Sequence, residues 1–96
     1  MNIIKTGVAG TLESSDIQII ITEHEKDTII IDLESPVKHL FEEKILEVIN
    51  GVLNQHQITS ARVRAIDKGA LDCTIKARME TAVFRASKAD VNWEVL

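Results

Sequence analysis

The stretch that decides the fold lies at positions 17–22, where the chain reads Ile-Gln-Ile-Ile-Ile-Thr. Its alternate isoleucines point to one side of an extended chain, and the residues between them point to the other side. A second stretch, 28–33, alternates in the same way and reads Thr-Ile-Ile-Ile-Asp-Leu. The charged residues 23–27 separate the two. β-Branched runs joined by a short polar loop are typical of an antiparallel hairpin, which we predict here.

A helix is predicted next, beginning at Ser35 and Pro36. Serine caps helix starts, and proline suits the first helical position because its missing N–H has no intrahelical acceptor there. Apolar residues recur with helical spacing as far as about Leu53, where the helix should end. Together the strands and this helix predict a core of Ile17, Ile19, Ile21, Ile29, Ile31, Leu33, Val37, Phe41, Ile45, Val48 and Val52.

A third strand and a second helix complete the pattern. The strand should cover 58–66 and place Arg62 and Arg64 on the face opposite its apolar residues. Asp67 stands where a helix cap is expected, and the helix should cover 70–87. These elements predict an α+β domain of order β-β-α-β-α. Its small antiparallel or mixed sheet, made of the N-terminal hairpin plus the third strand, carries two helices on one face, and a further short strand is expected near 8–12.

The second helix carries two apolar stripes. The larger stripe should face the core, and its members are Leu71, Ile75, Met79, Ala82, Val83 and Ala86. The narrower stripe is either buried against a neighbouring element, which is the interpretation we favour, or it meets another subunit; it contains Ala70, Cys73, Ala77 and Phe84. Cys73 is accordingly expected to be a small buried hydrophobe. The apolar tail 91–96 either folds back or docks on a partner.

Length and composition restrict the class of protein. The 96 residues predict a single domain, 1–96, which can bury a core without metal or disulfides. The formal charge of −4 argues against nucleic acid, whose phosphates require a basic patch. One cysteine fits a reducing compartment. No segment approaches the ~20 apolar residues that span a bilayer. We therefore expect a cytoplasmic protein that binds neither nucleic acid nor membrane.

The sequence contains no recognisable catalytic or metal-binding constellation. The histidines at 24, 39 and 56 lie in separate segments without the spacing of metal ligands. No phosphate-binding loop or dinucleotide fingerprint occurs, and nothing favours a Ser-His-Asp assembly. Lys68 stands between a strand and a helix, whereas the modified lysine of lipoyl and biotinyl domains lies at a hairpin tip. Lys68 is therefore interpreted as a residue of the helix start, although a carrier lysine is the other interpretation.

The segment 7–16 reads Gly-Val-Ala-Gly-Thr-Leu-Glu-Ser-Ser-Asp. Taken alone, its end predicts a turn, because serine and aspartate side chains hydrogen-bond to nearby backbone. The part 9–14, however, resembles the N-terminus of the acyl carrier (gamma) subunit family of citrate lyase. A second block, 67–73, reads Asp-Lys-Gly-Ala-Leu-Asp-Cys and resembles the same family. The resemblance spans most of the chain, and in that family the serine matching Ser14 carries a coenzyme A-derived arm.

The resemblance implies a phosphoprotein in which Ser14 holds 2'-(5''-phosphoribosyl)-3'-dephospho-coenzyme A through a phosphodiester. The thiol of this prosthetic group would present acetyl and citryl thioesters to an alpha (transferase) and a beta (lyase) subunit. These subunits cleave citrate to acetate and oxaloacetate in citrate fermentation. A separate enzyme, holo-citrate lyase synthase, would load the carrier, because an unassisted serine hydroxyl is a poor nucleophile. The chain itself would be a non-catalytic carrier with no catalytic or metal-binding residues.

The residues alone leave a second class open, namely a small non-catalytic α+β regulatory domain that binds a ligand or a partner through its sheet. Arg62 and Arg64 illustrate the ambiguity. They either hold phosphates of a bound arm or form an ordinary solvated face, and the solvated face is favoured. A covalent adduct on the intact protein would distinguish a carrier from a binding domain.

Overall fold

The computed structural model describes residues 2–36 and 38–87, apart from the side chains of residues 38 and 39. Six elements follow one another along this part of the chain: β1 (Gly7–Ala9), β2 (Ile17–Thr22), β3 (Ile29–Glu34), α1 (Lys38–Gln55), β4 (Ala61–Asp67) and α2 (Asp72–Ser87).

The strands form one four-stranded mixed sheet in the order β1-β2-β4-β3. β4 pairs antiparallel with β2 and parallel with β3, and β1 adds antiparallel to the free edge of β2. The predicted α+β class, both helices and the short extra strand near the N-terminus are confirmed. Within residues 2–36 and 38–87, no helix has the length and apolar character that a membrane crossing requires.

The predicted pairing of β2 with β3 is wrong, because β4 lies between them. Alternating residues define which face of a strand is buried, but they do not define which strand lies beside it. β3 and β4 run parallel, so a crossover must connect them, and α1 provides it. The connection 23–28 passes over the start of β4, where the Ser60 hydroxyl donates to the carbonyl oxygens of His24 at 3.0 Å and Lys26 at 2.7 Å. The true N-terminal hairpin is β1–β2.

Both helices cover the same face of the sheet. From the predicted core, Ile17, Ile19, Ile21, Leu33, Ile45 and Val52 are buried, while Ile29, Ile31 and Val48 are partly buried and Val37 lies outside the described residues. β3 is an edge strand, which explains why its isoleucines stay half open. α1 adds Ile49 and Leu53, and α2 buries Ile75, Met79, Ala82, Val83 and Ala86.

Phe41 is not in the core, contrary to the prediction, since it is 52% exposed. It lies on the same stripe of α1 as Ile45, one helical turn nearer the start of the helix. That turn lies where the core ends, and there the Phe41 ring lines an open cavity instead of packing under the sheet.

Cys73 is exposed, so the expectation of a buried thiol is also wrong. Ala77 and Phe84 on the same narrow stripe are exposed as well, because the sheet and α1 cover only the opposite side of α2. Leu71, assigned to the larger stripe, precedes the helix and is 71% exposed. The tail 91–96 lies outside the described residues.

We predict that Ile49→Ala destabilises the protein far more than Phe41→Ala. Ile49 is fully buried, so its truncation leaves a cavity and should cost about 2–5 kcal/mol of unfolding free energy. Phe41→Ala removes a half-exposed side chain and should cost less than about 1 kcal/mol. Denaturant melts of both variants measure the difference, and equal losses would show that the stripe of α1 is misplaced.

Candidate functional site

Ser14 lies on the connection between β1 and β2, residues 10–16, which we call the Ser14 loop. Two positive φ angles shape it, 86° at Gly10 and 67° at Ser15. A Cβ atom at Gly10 would collide with the carbonyl oxygen of Ile17. Only glycine therefore fits at this position, where the chain leaves β1. The loop closes through a hydrogen bond of 3.2 Å from the Asp16 N–H to the Glu13 carbonyl.

The Asp16 carboxylate holds the Ser14 loop together. It accepts hydrogen bonds from the Thr11 N–H at 3.1 Å, the Thr11 hydroxyl at 2.7 Å and the Ile17 N–H at 2.7 Å. Arg78, on α2, donates from Nε at 3.0 Å and from Nη2 at 3.1 Å, one bond to each carboxylate oxygen. Asp16 is only 9% exposed. This bidentate pair fastens the loop to a helix 62 residues away in the chain.

The surroundings of Asp16 favour its ionised form. The hydrogen bonds from Arg78, followed by those from Thr11 and the Ile17 N–H, hold the pKa of the Asp16 carboxyl well below its usual range. Burial opposes this effect, because it raises the pKa, but the donors outweigh it. The loop is therefore built around a carboxylate that is charged at neutral pH.

Backbone hydrogen bonds join the Ser14 loop to the connection between β4 and α2. The Ser15 N–H donates to the Lys68 carbonyl at 2.8 Å, and the Lys68 N–H donates to the Asp16 carbonyl at 2.8 Å. Asp67 fixes this connection, since its carboxylate accepts from the N–H groups of Gly69 at 3.1 Å and Ala70 at 2.9 Å. Asp67 thus caps the turn before α2 rather than the first turn of the helix, which begins at Asp72.

Ser14 itself stays free within this frame. It lies in a turn and is exposed, as are Leu12, Glu13 and Ser15. Within residues 2–36 and 38–87, no hydrogen bond involves its hydroxyl, whereas the acid two residues later is fully bonded. The turn predicted from the Ser and Asp residues is confirmed, and its tip presents an unengaged hydroxyl to solvent.

Of the other residues singled out in the sequence, the two arginines of β4 lie apart from Ser14, whereas Lys68 adjoins its loop. Arg62 stands opposite Thr22, at the far end of β2 from the loop, and Arg64 forms an exposed ion pair of 3.0 Å with Asp32. The Lys68 side chain is exposed, and its backbone is hydrogen-bonded to the loop. Among the described residues, no group of His, Cys, Asp and Glu side chains could hold a metal ion.

The sequence interpretation missed Arg78. Its only signal was a charged residue lying between the two apolar stripes of α2. An arginine in such a position has a half-covered stem, and its guanidinium is able to pair with a carboxylate. The sequence did not indicate which of the acidic residues that partner is.

In the described part of the chain no base lies beside the exposed Ser14, so these residues do not form the Ser-His-Asp arrangement of a serine hydrolase. The comparisons with known proteins identify the family. The sequence profile described as "ACP: Malonate decarboxylase delta subunit (MdcD)" matches residues 4–86. The chain is also similar to curated proteins that bear the name citrate lyase acyl carrier protein.

The relative from Oenococcus oeni is 55% identical over 98 residues and covers 100% of both chains. The relative from Streptococcus mutans is 46% identical over 95 residues, which are 98% of this chain and 93% of that protein. The relative from Streptococcus pyogenes serotype M18 is 47% identical over 90 residues, which are 94% of this chain and 88% of that protein. The chain belongs to the citrate lyase acyl carrier protein family. Members of this family are named as carriers and not as catalytic subunits.

We predict that Asp16→Asn lowers the unfolding free energy at pH 7 by about 1–3 kcal/mol, because Thr11, the Ile17 N–H and Arg78 lose a charged acceptor. The folded-state pKa is depressed, so the carboxylate contributes fully above about pH 4 and its contribution is lost as the pH falls through the folded pKa. The gap between wild type and variant should therefore narrow below about pH 4. Asp32→Asn, at an exposed ion pair, should change stability little. A difference in unfolding free energy between wild type and Asp16→Asn that stays constant down to pH 2 would contradict the role given to the ionised carboxylate.

A matched pair of glycine substitutions tests the geometry of the loop. Gly10→Ala should destabilise the protein by more than about 1 kcal/mol, because φ is positive and the new Cβ meets the Ile17 carbonyl. Gly51→Ala should stabilise it by up to about 1 kcal/mol, since Gly51 lies in α1 with open space around its Cβ position. Thermal melts measure the loss of stability in one variant and the gain in the other. An unchanged stability of Gly10→Ala would mean that the backbone leaves β1 along a different path.

Proposed function

We propose that the chain is the acyl carrier subunit of a citrate lyase and that Ser14 is the attachment point of its prosthetic group. One observation carries the proposal, namely that the serine of the 9–14 pattern has an exposed hydroxyl without a hydrogen-bond partner in the described part of the chain. The relative that matches the whole chain at 55% identity is named for citrate lyase, which favours that complex over malonate decarboxylase.

The prosthetic group is proposed to be 2'-(5''-phosphoribosyl)-3'-dephospho-coenzyme A, held through a phosphodiester. When bound, it supplies a thiol that carries the acyl group as a thioester. Ser14 contributes the oxygen that bonds to the phosphorus of an activated phosphoribosyl donor, whose polyphosphate leaving group departs. Among the described residues, no base contacts the Ser14 hydroxyl, so holo-citrate lyase synthase must supply the base that takes its proton.

The remaining work of the chain is positioning. The Asp16–Arg78 pair fixes the Ser14 loop against α2, so the serine reaches the loading enzyme in one conformation. After loading, residues 1–96 act as one cytoplasmic carrier domain. Tethering raises the local concentration of the acyl group at the alpha (transferase) and beta (lyase) subunits, and no catalytic residue of the carrier is needed.

Intact-mass measurement tests the attachment point. Ser14→Ala should abolish the adduct formed with the loading enzyme and donor, while the unfolding free energy changes by no more than about 0.5 kcal/mol, since the side chain is exposed. The matched control is Ser15→Gly. It keeps the positive φ of 67° accessible and should leave the adduct in place.

Peptide mapping of the loaded wild type locates the modified residue. The expected adduct is heavier than phosphopantetheine, because it includes the nucleotide and a second ribose. An adduct on Ser15, Lys68 or Cys73 with Ser14 free would overturn the assignment. A complete absence of adduct would favour the alternative, a non-catalytic regulatory domain that binds a ligand or partner.

A further inference from the structure

An open apolar cavity of about 650 Å³ lies between the first two turns of α1 and the start of α2. We call it the α1–α2 groove. Its volume is typical of sites that bind small molecules. Phe41 at 52% and Leu71 at 71% exposure form part of its wall, and Ile45, Ala70 and Ile75 line it as well. Two large apolar side chains lie open to solvent in one continuous groove, which marks it as a candidate binding surface.

The groove begins next to the Ser14 loop. Gly69 belongs to its lining, and the residue before it, Lys68, accepts the hydrogen bond of 2.8 Å from the Ser15 N–H. With standard backbone dimensions, the Cα atoms of Ser14 and Gly69 are at most about 8 Å apart. A group attached to Ser14 therefore starts within a few bonds of the groove.

The chemistry of the walls selects one part of the attached group. In the proposed phosphodiester, the ribose and adenosine come first from Ser14, and the diphosphate and pantetheine follow. The flat adenine ring matches an apolar groove with an aromatic side chain, Phe41, in its wall. A carboxylate-bearing acyl group does not match it, because burying its charges without partners is costly.

The charges around the groove are mixed: its lining contains Lys44 and the carboxylates of Asp67 and Asp72, and the Asp67 carboxylate is engaged by the N–H groups of Gly69 and Ala70. Lys44 lines the groove with its ammonium 3.3 Å from the Asp72 carboxylate, and both side chains are 54% exposed. Lys68 is exposed on the path between Ser14 and the groove, and in the described part of the chain it forms no ion pair. Both cations can approach phosphate oxygens on either side of the adenosine.

We infer that the α1–α2 groove binds the adenosine portion of the prosthetic group of the same chain. The inference rests on the proposed function. Docking of the nucleotide leaves only the diphosphate and pantetheine free to move, so the carrier would swing a shorter arm than the full length of the group. The acyl group, at the far end, stays outside the groove.

Cys73 provides the measurement, because its thiol is exposed and lines the groove. Iodoacetamide labelling of Cys73 is followed by mass spectrometry of its peptide, in apo and fully loaded protein, with a phosphine reductant present. A groove occupied about four-fifths of the time slows labelling about fivefold on loading. The ratio of loaded to apo rates is taken for each variant, so changes in the intrinsic reactivity of the thiol cancel.

Phe41→Ala should bring this ratio close to one while intact mass still shows complete loading. The matched control is Leu40→Ala, one residue away in the same helix, 67% exposed and not part of the lining. It should keep the protection of wild type. Ser14→Ala, treated with the same loading enzyme, should show no protection.

Equal labelling of apo and loaded wild type, with loading complete, would overturn this inference alone. Absence of any adduct on Ser14 would overturn the proposed function and this inference with it. Protection of Cys73 in the apo form that increases with protein concentration would assign the groove to a second copy of the chain instead.

Discussion

The Asp16 carboxylate accepts five hydrogen bonds, two from Thr11 in its own loop, one from the Ile17 N–H at the start of β2 and two from Arg78. The arrangement of the functional end of the molecule depends on it. The three local bonds set the path of the chain between β1 and β2. The two bonds from Arg78 connect that path to α2. A nearly buried carboxylate is stable only while its donors are in place, so loop and helix hold each other in one geometry.

This clamp leaves the polar side chains at the tip of the loop unbound. Thr11 and Asp16 are used in holding its shape, whereas among the described contacts no hydrogen bond involves the hydroxyls of Ser14 and Ser15 or the Glu13 carboxylate. A carrier needs this combination, since its modifying enzyme must find the serine in a fixed place and meet no competing partner there. The chemistry itself comes from the attached group, and the scaffold differs from the helical bundle of fatty-acid acyl carriers.

Local periodicity was enough to predict the elements and the buried faces. The strand at 17–22, the helix after Ser35 and the α+β class all appear in the structure. The strand order was not predictable in this way, because alternation does not define which strands are neighbours, and β4 inserts between β2 and β3 after the α1 crossover. Phe41 and Cys73 were misassigned because helical spacing defines a stripe, but neither where along the helix the core stops nor which of two stripes faces it.

The functional site, like the fold, was predictable only where it depends on local sequence. The turn around Ser14 followed from local chemistry, and the role of Ser14 followed from the resemblance. Arg78 and the α1–α2 groove could not be predicted, because both exist only after segments distant in the chain have packed together.

The most direct test of this account is the rate at which the loading enzyme modifies Arg78→Met, measured where the variant is fully folded. Arg85→Met is its control, since Arg85 is also on α2 but donates to the Val8 carbonyl at 2.7 Å rather than to the Ser14 loop. If the clamp presents Ser14, Arg78→Met should load at least about tenfold more slowly, because small misplacements of a reacting group are costly, and Arg85→Met should load like wild type. Loading of Arg78→Met at the wild-type rate would contradict the claim that the clamp positions the serine.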